Sequence, residues 1–201
     1  MHSAFAVYLQ LGARHIADLQ GYDHILFVAV LVAAWPPAQW RRLVLLVTAF
    51  TVGHSITLAL ATLRLVTVDA GWVEFLIPVT IAATALAAIR QAWRGDDPAR
   101  REGFLLRYAV AAGFGLIHGL GFSNFLRAAL GAEESLVVPL LAFNVGLELG
   151  QLLIVAIVVA AGALVTGPLG LARRRWVLGV STAILLVALQ LAATRLPWSA
   201  A

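Results

Sequence analysis

The segment FTVGHSITLALA, residues 50–61, places His54, Ser55 and Thr57 inside the apolar run 42–63. An α-helix needs about 20 apolar residues to cross the hydrocarbon core of a bilayer, so the run predicts a transmembrane helix. An ionisable side chain at the centre of such a helix costs roughly 2.5–3.5 kcal/mol on insertion scales. His54 is therefore expected to face a partner, a water-filled cavity or a bound ion rather than lipid.

The whole chain resembles this segment in composition. It has 201 residues, of which 62% are hydrophobic, and its mean hydropathy is +0.93. Soluble domains are about half apolar, so the chain is predicted to be all-α, a polytopic membrane helical bundle forming one transmembrane domain over residues 1–201. Six spans are predicted, at residues 17–35, 42–63, 71–93, 104–126, 136–164 and 176–196. The semi-polar residues 1–16 are interpreted as an interfacial helix or an outward extension of the first span.

Arginine placement predicts how the bundle is oriented. The chain has 14 basic residues, all of them arginines. Ten fall after the first, third and fifth spans: Arg41, Arg42, Arg90, Arg94, Arg100, Arg101, Arg107, Arg173, Arg174 and Arg175. The remaining four are Arg14, Arg64, Arg127 and Arg195. Under the positive-inside rule the richer side faces the cytoplasm, so both termini are expected outside a bacterial inner (cytoplasmic) membrane.

Polar residues recur inside four of the predicted spans. The motifs are GYDHILF with Asp23 and His24, FTVGHSITLALA with His54, FGLIHGLGF with His118, and FNVGLELGQL with Asn144, Glu148 and Gln151. The last three residues have helical spacing i, i+4 and i+7 and so share one face. Each group alone could simply form a hydrogen bond between helices. Their number and spread over four spans favour a common functional site.

The chemistry of this set indicates a metal ion. Three imidazoles with a carboxylate suit nickel, cobalt or zinc, and the absence of cysteine excludes thiolate and iron–sulfur sites. The predicted ligands are His24, His54, His118 and Asp23, with Asp23 alternatively orienting a histidine. Imidazole binds metal only when neutral, so binding is expected to weaken as the pH falls toward about 6.5. The predicted accessory residues are Ser55, Asn144, Glu148 and Gln151, with Asn144 and Gln151 also explicable as packing groups.

These motifs, in this order on successive spans, resemble the HupE/UreJ family of bacterial membrane proteins. The resemblance implies a small permease of six to seven spans for nickel, associated with hydrogenase and urease maturation. The family's first motif is a histidine, five residues and then Asp-His. Asp23 and His24 match its end, while His15, an accessory candidate, is separated from Asp23 by seven residues instead of five. In the fourth-span motif only His118 and Gly119 match, which leaves the identity of the ion open.

The leading interpretation is a permease or facilitator for a divalent metal rather than an enzyme. His15, Asp23 and His24 would capture the ion near the outer mouth, and His54, His118 and Glu148 would bind it deeper. The expected partners are the metal ion and membrane lipids, with no nucleic acid. A homo-oligomer or a metal-handling partner protein remains open.

Two other functions fit the same residues. An intramembrane zinc-dependent hydrolase would use the three histidines to hold zinc, with Asp23 or Glu148 as the base and Ser55 orienting a ligand or stabilising an oxyanion. A structural or accessory subunit would use the polar groups only for hydrogen bonds between helices. A tightly held stoichiometric zinc would indicate the hydrolase, and an ion that equilibrates across the membrane would indicate the permease.

Overall fold

The computed structural model of the chain describes residues 3–96, 104–130 and 135–198. Throughout these ranges the secondary structure is helical, with eight α-helices and one short 3₁₀ helix at Pro37–Gln39. The α-helices are α1 Ala4–Ile16, α2 Asp23–Ala33, α3 Trp40–Thr62, α4 Ala70–Arg94, α5 Phe104–Gly121, α6 Ser123–Leu130, α7 Val137–Thr166 and α8 Arg173–Thr194. The predicted all-α membrane helical bundle is confirmed.

The number of spans differs from the prediction. The described residues contain four helices long and apolar enough to cross a membrane, or five if the bent pair α5 and α6 counts as one span. The expected six is wrong because the first predicted span, residues 17–35, contains only the 11-residue α2. At 1.5 Å per residue α2 is roughly 16 Å long, about half the hydrocarbon thickness. A turn in which Asp18 Oδ1 accepts a hydrogen bond from Gln20 N (2.9 Å) replaces the start of the expected helix.

The N-terminal segment forms a separate helix, α1, and its expected place at the membrane interface or as an extension of the first span stays a prediction. Ser3 Oγ caps α1 by accepting a hydrogen bond from Ala6 N at 3.3 Å. The helix buries Tyr8, Gly12 and Ile16, and it packs along the first half of α7.

The fourth predicted span also departs from a single helix, because α5 ends at Gly121 and α6 continues at an angle of 52°.

Glycines bring α1 and α7 into backbone contact. A Cβ atom added to Gly12 would lie 2.0 Å from the Phe143 carbonyl oxygen, and one added to Gly146 would lie 1.9 Å from that of Leu9. Real Cβ atoms do not approach oxygens this closely, so these positions require glycine. Gly146 and Gly150 form a GxxxG pattern, the spacing that allows close helix packing in membranes. The C-terminus of α1, with His15, is held against the bundle in this way.

The same arrangement joins α3 and α5. A Cβ added to Gly53 would lie 2.0 Å from the Ala112 oxygen, and one added to Gly119 would lie 2.2 Å from the His54 oxygen. Thr57 Oγ1 adds a cross-helix hydrogen bond of 2.7 Å to the Leu116 oxygen. Thr57 Oγ1 also lies 3.3 Å from the Gly53 and His54 oxygens of its own helix, so its shortest bond is the one that crosses to α5. The contact places the middle of α3, with His54, beside the end of α5.

The two ends of the bundle differ in charge. At one end, here called the arginine-rich end, α3, α5 and α8 begin and α4 and α7 finish. There Arg174 lies over the Trp93 ring, and Arg107 lies over the Trp35 ring. α2 runs from the histidines, where His24 lies near His118, to this end. Two arginines counted in the orientation prediction, Arg100 and Arg101, lie outside the described residues, and the cytoplasmic orientation of this end stays a prediction.

Candidate metal centre

Three histidines from three helices converge where α1 ends and α2 begins. His15, His24 and His54 each offer one ring nitrogen, and these nitrogens all lie within 4.8 Å of one another. Zinc–imidazole bonds are about 2.0–2.1 Å long, so two nitrogens bound to one ion are separated by about 4 Å or less. A small closure of the three rings would therefore bring them to the spacing of a common ion.

Each histidine is positioned by a different feature of the fold. His15, in the last turn of α1, stacks on Phe122 with ring centroids 3.6 Å apart. His24 lies in the first turn of α2, and its ring centroid is 4.7 Å from that of His15. His54 is fully buried on α3, where the close contact with Gly119 fixes its backbone.

The ring nitrogens of this cluster have unusually few partners. Among the described residues, His15 Nε2, His24 Nε2 and both ring nitrogens of His54 are buried and have no hydrogen-bond partner. A buried polar group without a partner costs about 1–3 kcal/mol, and such groups are rare in native proteins. His15, His24 and His54 each direct one such nitrogen into this group, so together they form a set of donor atoms that could hold a metal cation.

His118 lies beside the cluster and has one nitrogen accounted for. Its ring centroid is 5.2 Å from that of His24, and its Nε2 is 2.9 Å from Thr80 Oγ1. Because the Ile77 oxygen, 2.7 Å from Thr80 Oγ1, can only accept, we assign the hydroxyl proton to that bond and let the hydroxyl oxygen accept from His118. His118 therefore carries its proton on Nε2, and the lone pair of the buried, unpartnered Nδ1 is available to a metal.

The environment favours neutral imidazole. Burial lowers the pKa of His15 well below 6.5, and the neighbouring imidazoles of His24 and His54 lower it further. Metal binding requires the neutral ring. His15 is consequently in the ligating form at neutral pH.

Asp23, predicted as a metal ligand, has a different partner. Its Oδ2 accepts a hydrogen bond from Arg195 Nη1 at 3.0 Å, forming an ion pair between the start of α2 and the end of α8. The described residues that could share an ion are His15, His24 and His54. This group includes the expected accessory residue His15 and does not include the predicted ligands Asp23 and His118. The ion pair fixes the start of α2, and hence the position of His24.

The predicted accessory residues on α7 form a row of hydrogen bonds with α3. Thr48 Oγ1 donates to Glu148 Oε1 at 2.6 Å, and Thr51 Oγ1 donates to Gln151 Oε1 at 2.8 Å. Ser55 Oγ lies 2.6 Å from Asn144 Oδ1 and also donates to the Thr51 oxygen at 2.7 Å. Ser55, Asn144, Glu148 and Gln151 thus hold α3 against α7 beside the histidines, and no hydrogen bond is found between them and the imidazoles within the described residues.

Sequence reasoning missed Thr80 and Arg195, the partners of His118 and Asp23. Thr80 lies within the apolar run of α4, where a polar residue is itself a signal. Arg195 lies at the end of the last span, where an arginine is common and carries no distinguishing signal.

A layer of aromatic rings closes the cluster on the side of the arginine-rich end. The Phe27 and Phe50 rings stack at 4.6 Å. Each also lies 5.1 Å from the His118 ring. The histidines are therefore separated from the arginine-rich end by phenyl rings in this conformation.

Comparison with known proteins identifies the family. Residues 1–195 match the family model described as HupE / UreJ protein. No curated protein and no solved structure matches the chain significantly. Since the match covers nearly all of the 201 residues, the chain belongs to the HupE/UreJ family of multi-pass membrane proteins.

Proposed function

We propose that the protein is a permease or facilitator for a divalent transition metal, nickel, cobalt or zinc, in a bacterial inner membrane. The observation that carries the proposal is the group of unpartnered nitrogens of His15, His24 and His54 within 4.8 Å of one another. The family, which is one of transport-related membrane proteins, supports it. The ion is substrate, held by imidazoles rather than by the softer sulfur ligands that cuprous ions prefer.

The arrangement suggests an order of contacts for the ion. His15 and His24 lie at the junction of α1 and α2, away from the arginine-rich end, and would capture the ion. His54 lies in a helix long and apolar enough to span a membrane, and His118 lies in the bent pair α5–α6; these two would receive the ion. Movement further requires the rings of Phe27 and Phe50 to shift, because they lie between His118 and the arginine-rich end. Conduction requires that an ion is bound tightly enough to enter and weakly enough to leave, and neutral imidazole ligands suit both steps.

The hydrolase alternative gains less support from the geometry. Its base would be a carboxylate close to the ion. Asp23 is paired with Arg195, and Glu148 accepts a hydrogen bond from Thr48. Neither carboxylate belongs to the group of described residues that could share an ion, so transport is the function favoured here.

Metal flux into liposomes tests the proposal. Purified protein in vesicles loaded with a metal-sensitive dye is expected to admit nickel, cobalt or zinc faster than empty vesicles. His54→Ala should reduce the flux to near the background of empty vesicles, because it removes the fully buried imidazole of the cluster. His2→Ala, the same substitution at the one histidine outside the described residues, serves as the control. Wild-type flux equal to that of empty vesicles for all three ions would refute the proposal.

A further inference from the structure

A cavity lies between α2, α4 and α5, apart from the histidines. It has a volume of about 630 Å³, within the range of about 300–1,000 Å³ typical of ligand pockets. Val30, Leu86 and Val110 contribute to its walls, and Phe27 and Phe114 lie at its inner end. Of these lining residues, the transport proposal uses Phe27, at the inner end.

The cavity opens on the lateral surface of the helical bundle. Leu86 is 54% exposed, Leu106 67% and Val110 42%, and all three line the cavity. These residues belong to α4 and to the bent pair α5–α6, which are apolar enough to span a membrane. In a bilayer such walls face hydrocarbon, so the inner part of the cavity is accessible to an acyl chain.

Charge distinguishes the mouth of the cavity from its interior. Arg90, Arg94 and Arg107 line it at the arginine-rich end, against one acid, Asp96. Arg107 is oriented by Gln91, whose Oε1 accepts a hydrogen bond at 3.4 Å, and by the Trp35 ring 5.8 Å away. Three guanidinium groups repel a divalent cation and attract phosphate. The cavity is thus a poor route for metal and a good site for an anionic head group.

We propose that the cavity binds one anionic phospholipid. Its phosphate lies between Arg90, Arg94 and Arg107, and one acyl chain runs along α4 and α5 toward Phe27 and Phe114. From Arg94 to Ala83, the deepest α4 residue lining the cavity, is 11 residues, about 16 Å along a helix, a length that a fatty acyl chain spans. The end of the chain then supports Phe27, whose ring contacts His118.

Lipid retention measured by native mass spectrometry tests this site. The full-length protein is placed in bilayers with equal amounts of phosphatidylglycerol and phosphatidylcholine and then released. Wild type is expected to retain one phosphatidylglycerol in preference to phosphatidylcholine. The double variant Arg90→Gln/Arg94→Gln should lower that preference about 25-fold, roughly fivefold for each arginine. The matched control Arg41→Gln/Arg175→Gln removes the same charge outside the cavity and should retain the lipid.

A third variant separates binding of a whole lipid from binding of its head group alone. Ala87 lines the cavity, so Ala87→Trp fills the acyl-chain space and leaves the arginines in place. Retention should fall in this variant, and glycerol phosphate should not displace the lipid from wild type. The proposal is overturned if Ala87→Trp retains the lipid like wild type, or if the control pair loses as much as the cavity pair.

Discussion

At the scale of single residues, the site depends on where each imidazole keeps its proton. The Thr80 hydroxyl donates to Ile77 and accepts from His118 Nε2, which leaves His118 Nδ1 as a free acceptor. Such outer partners commonly change metal affinity by about 10–100-fold when removed. The histidines were visible in the sequence because imidazole is costly in an apolar helix. Thr80 was not recognised, because its role depends on a neighbouring helix 38 residues away.

Thr80→Val tests this proton assignment. The substitution keeps the shape of the side chain and removes the acceptor of the His118 proton, so metal affinity should fall about 10–100-fold. Thr84→Val is the matched control, because Thr84 donates only to the Thr80 oxygen of its own helix at 2.8 Å. Titration of the two purified variants with cobalt, followed by visible absorption, measures both affinities. Equal affinities in the two variants would contradict the assignment.

The lowered pKa of His15 predicts the pH dependence of metal binding. Because burial favours the neutral ring, His15 gains its proton only at a pH well below 6.5, and it can ligate down to that pH. The midpoint of acid-induced cobalt release should therefore lie below 6.5, lower than an exposed histidine would give. Cobalt absorption recorded between pH 8 and pH 4 measures the midpoint. Release centred at or above pH 6.5 would show that His15 is solvated or does not ligate.

At the scale of the helices, two glycine-packed pairs hold the histidines together. α1 lies against α7 through Gly12 and Gly146, and α3 lies against α5 through Gly53 and Gly119. Glycine permits close packing of membrane helices, but the partner of each helix could not be derived from the sequence. That choice depends on which surfaces of distant helices match, which is not encoded in the spacing along one helix.

Gly53→Ala tests the α3–α5 contact. The added Cβ would lie 2.0 Å from the Ala112 oxygen, so the helices must separate, at a cost of about 1–3 kcal/mol. Gly113→Ala is the control, because a Cβ there meets no atom within 4 Å, and it should be neutral or slightly stabilising. Thermal unfolding in detergent compares both variants with wild type. A Gly53→Ala protein as stable as Gly113→Ala would show that the two backbones are not in contact.

At the scale of the whole molecule, the sequence predicted the class of fold correctly but gave too many membrane spans. Long apolar runs identified α3, α4, α7 and α8 to within a few residues, because a bilayer imposes a length on any spanning helix. The first span was predicted wrongly because mean hydropathy does not register the turn at Asp18. This turn brings His15 back beside His24, so the departure from a continuous helix helps to build the site.

The central claim is that the histidines hold a transition metal ion. Elemental analysis of purified protein, dialysed against nickel, cobalt or zinc, counts the bound ions per chain for wild type and for His54→Ala. We expect about one ion per wild-type chain, and loss of most of it in His54→Ala, while the His2→Ala control keeps it. Equal metal content in wild type and in a folded His54→Ala protein would contradict the claim.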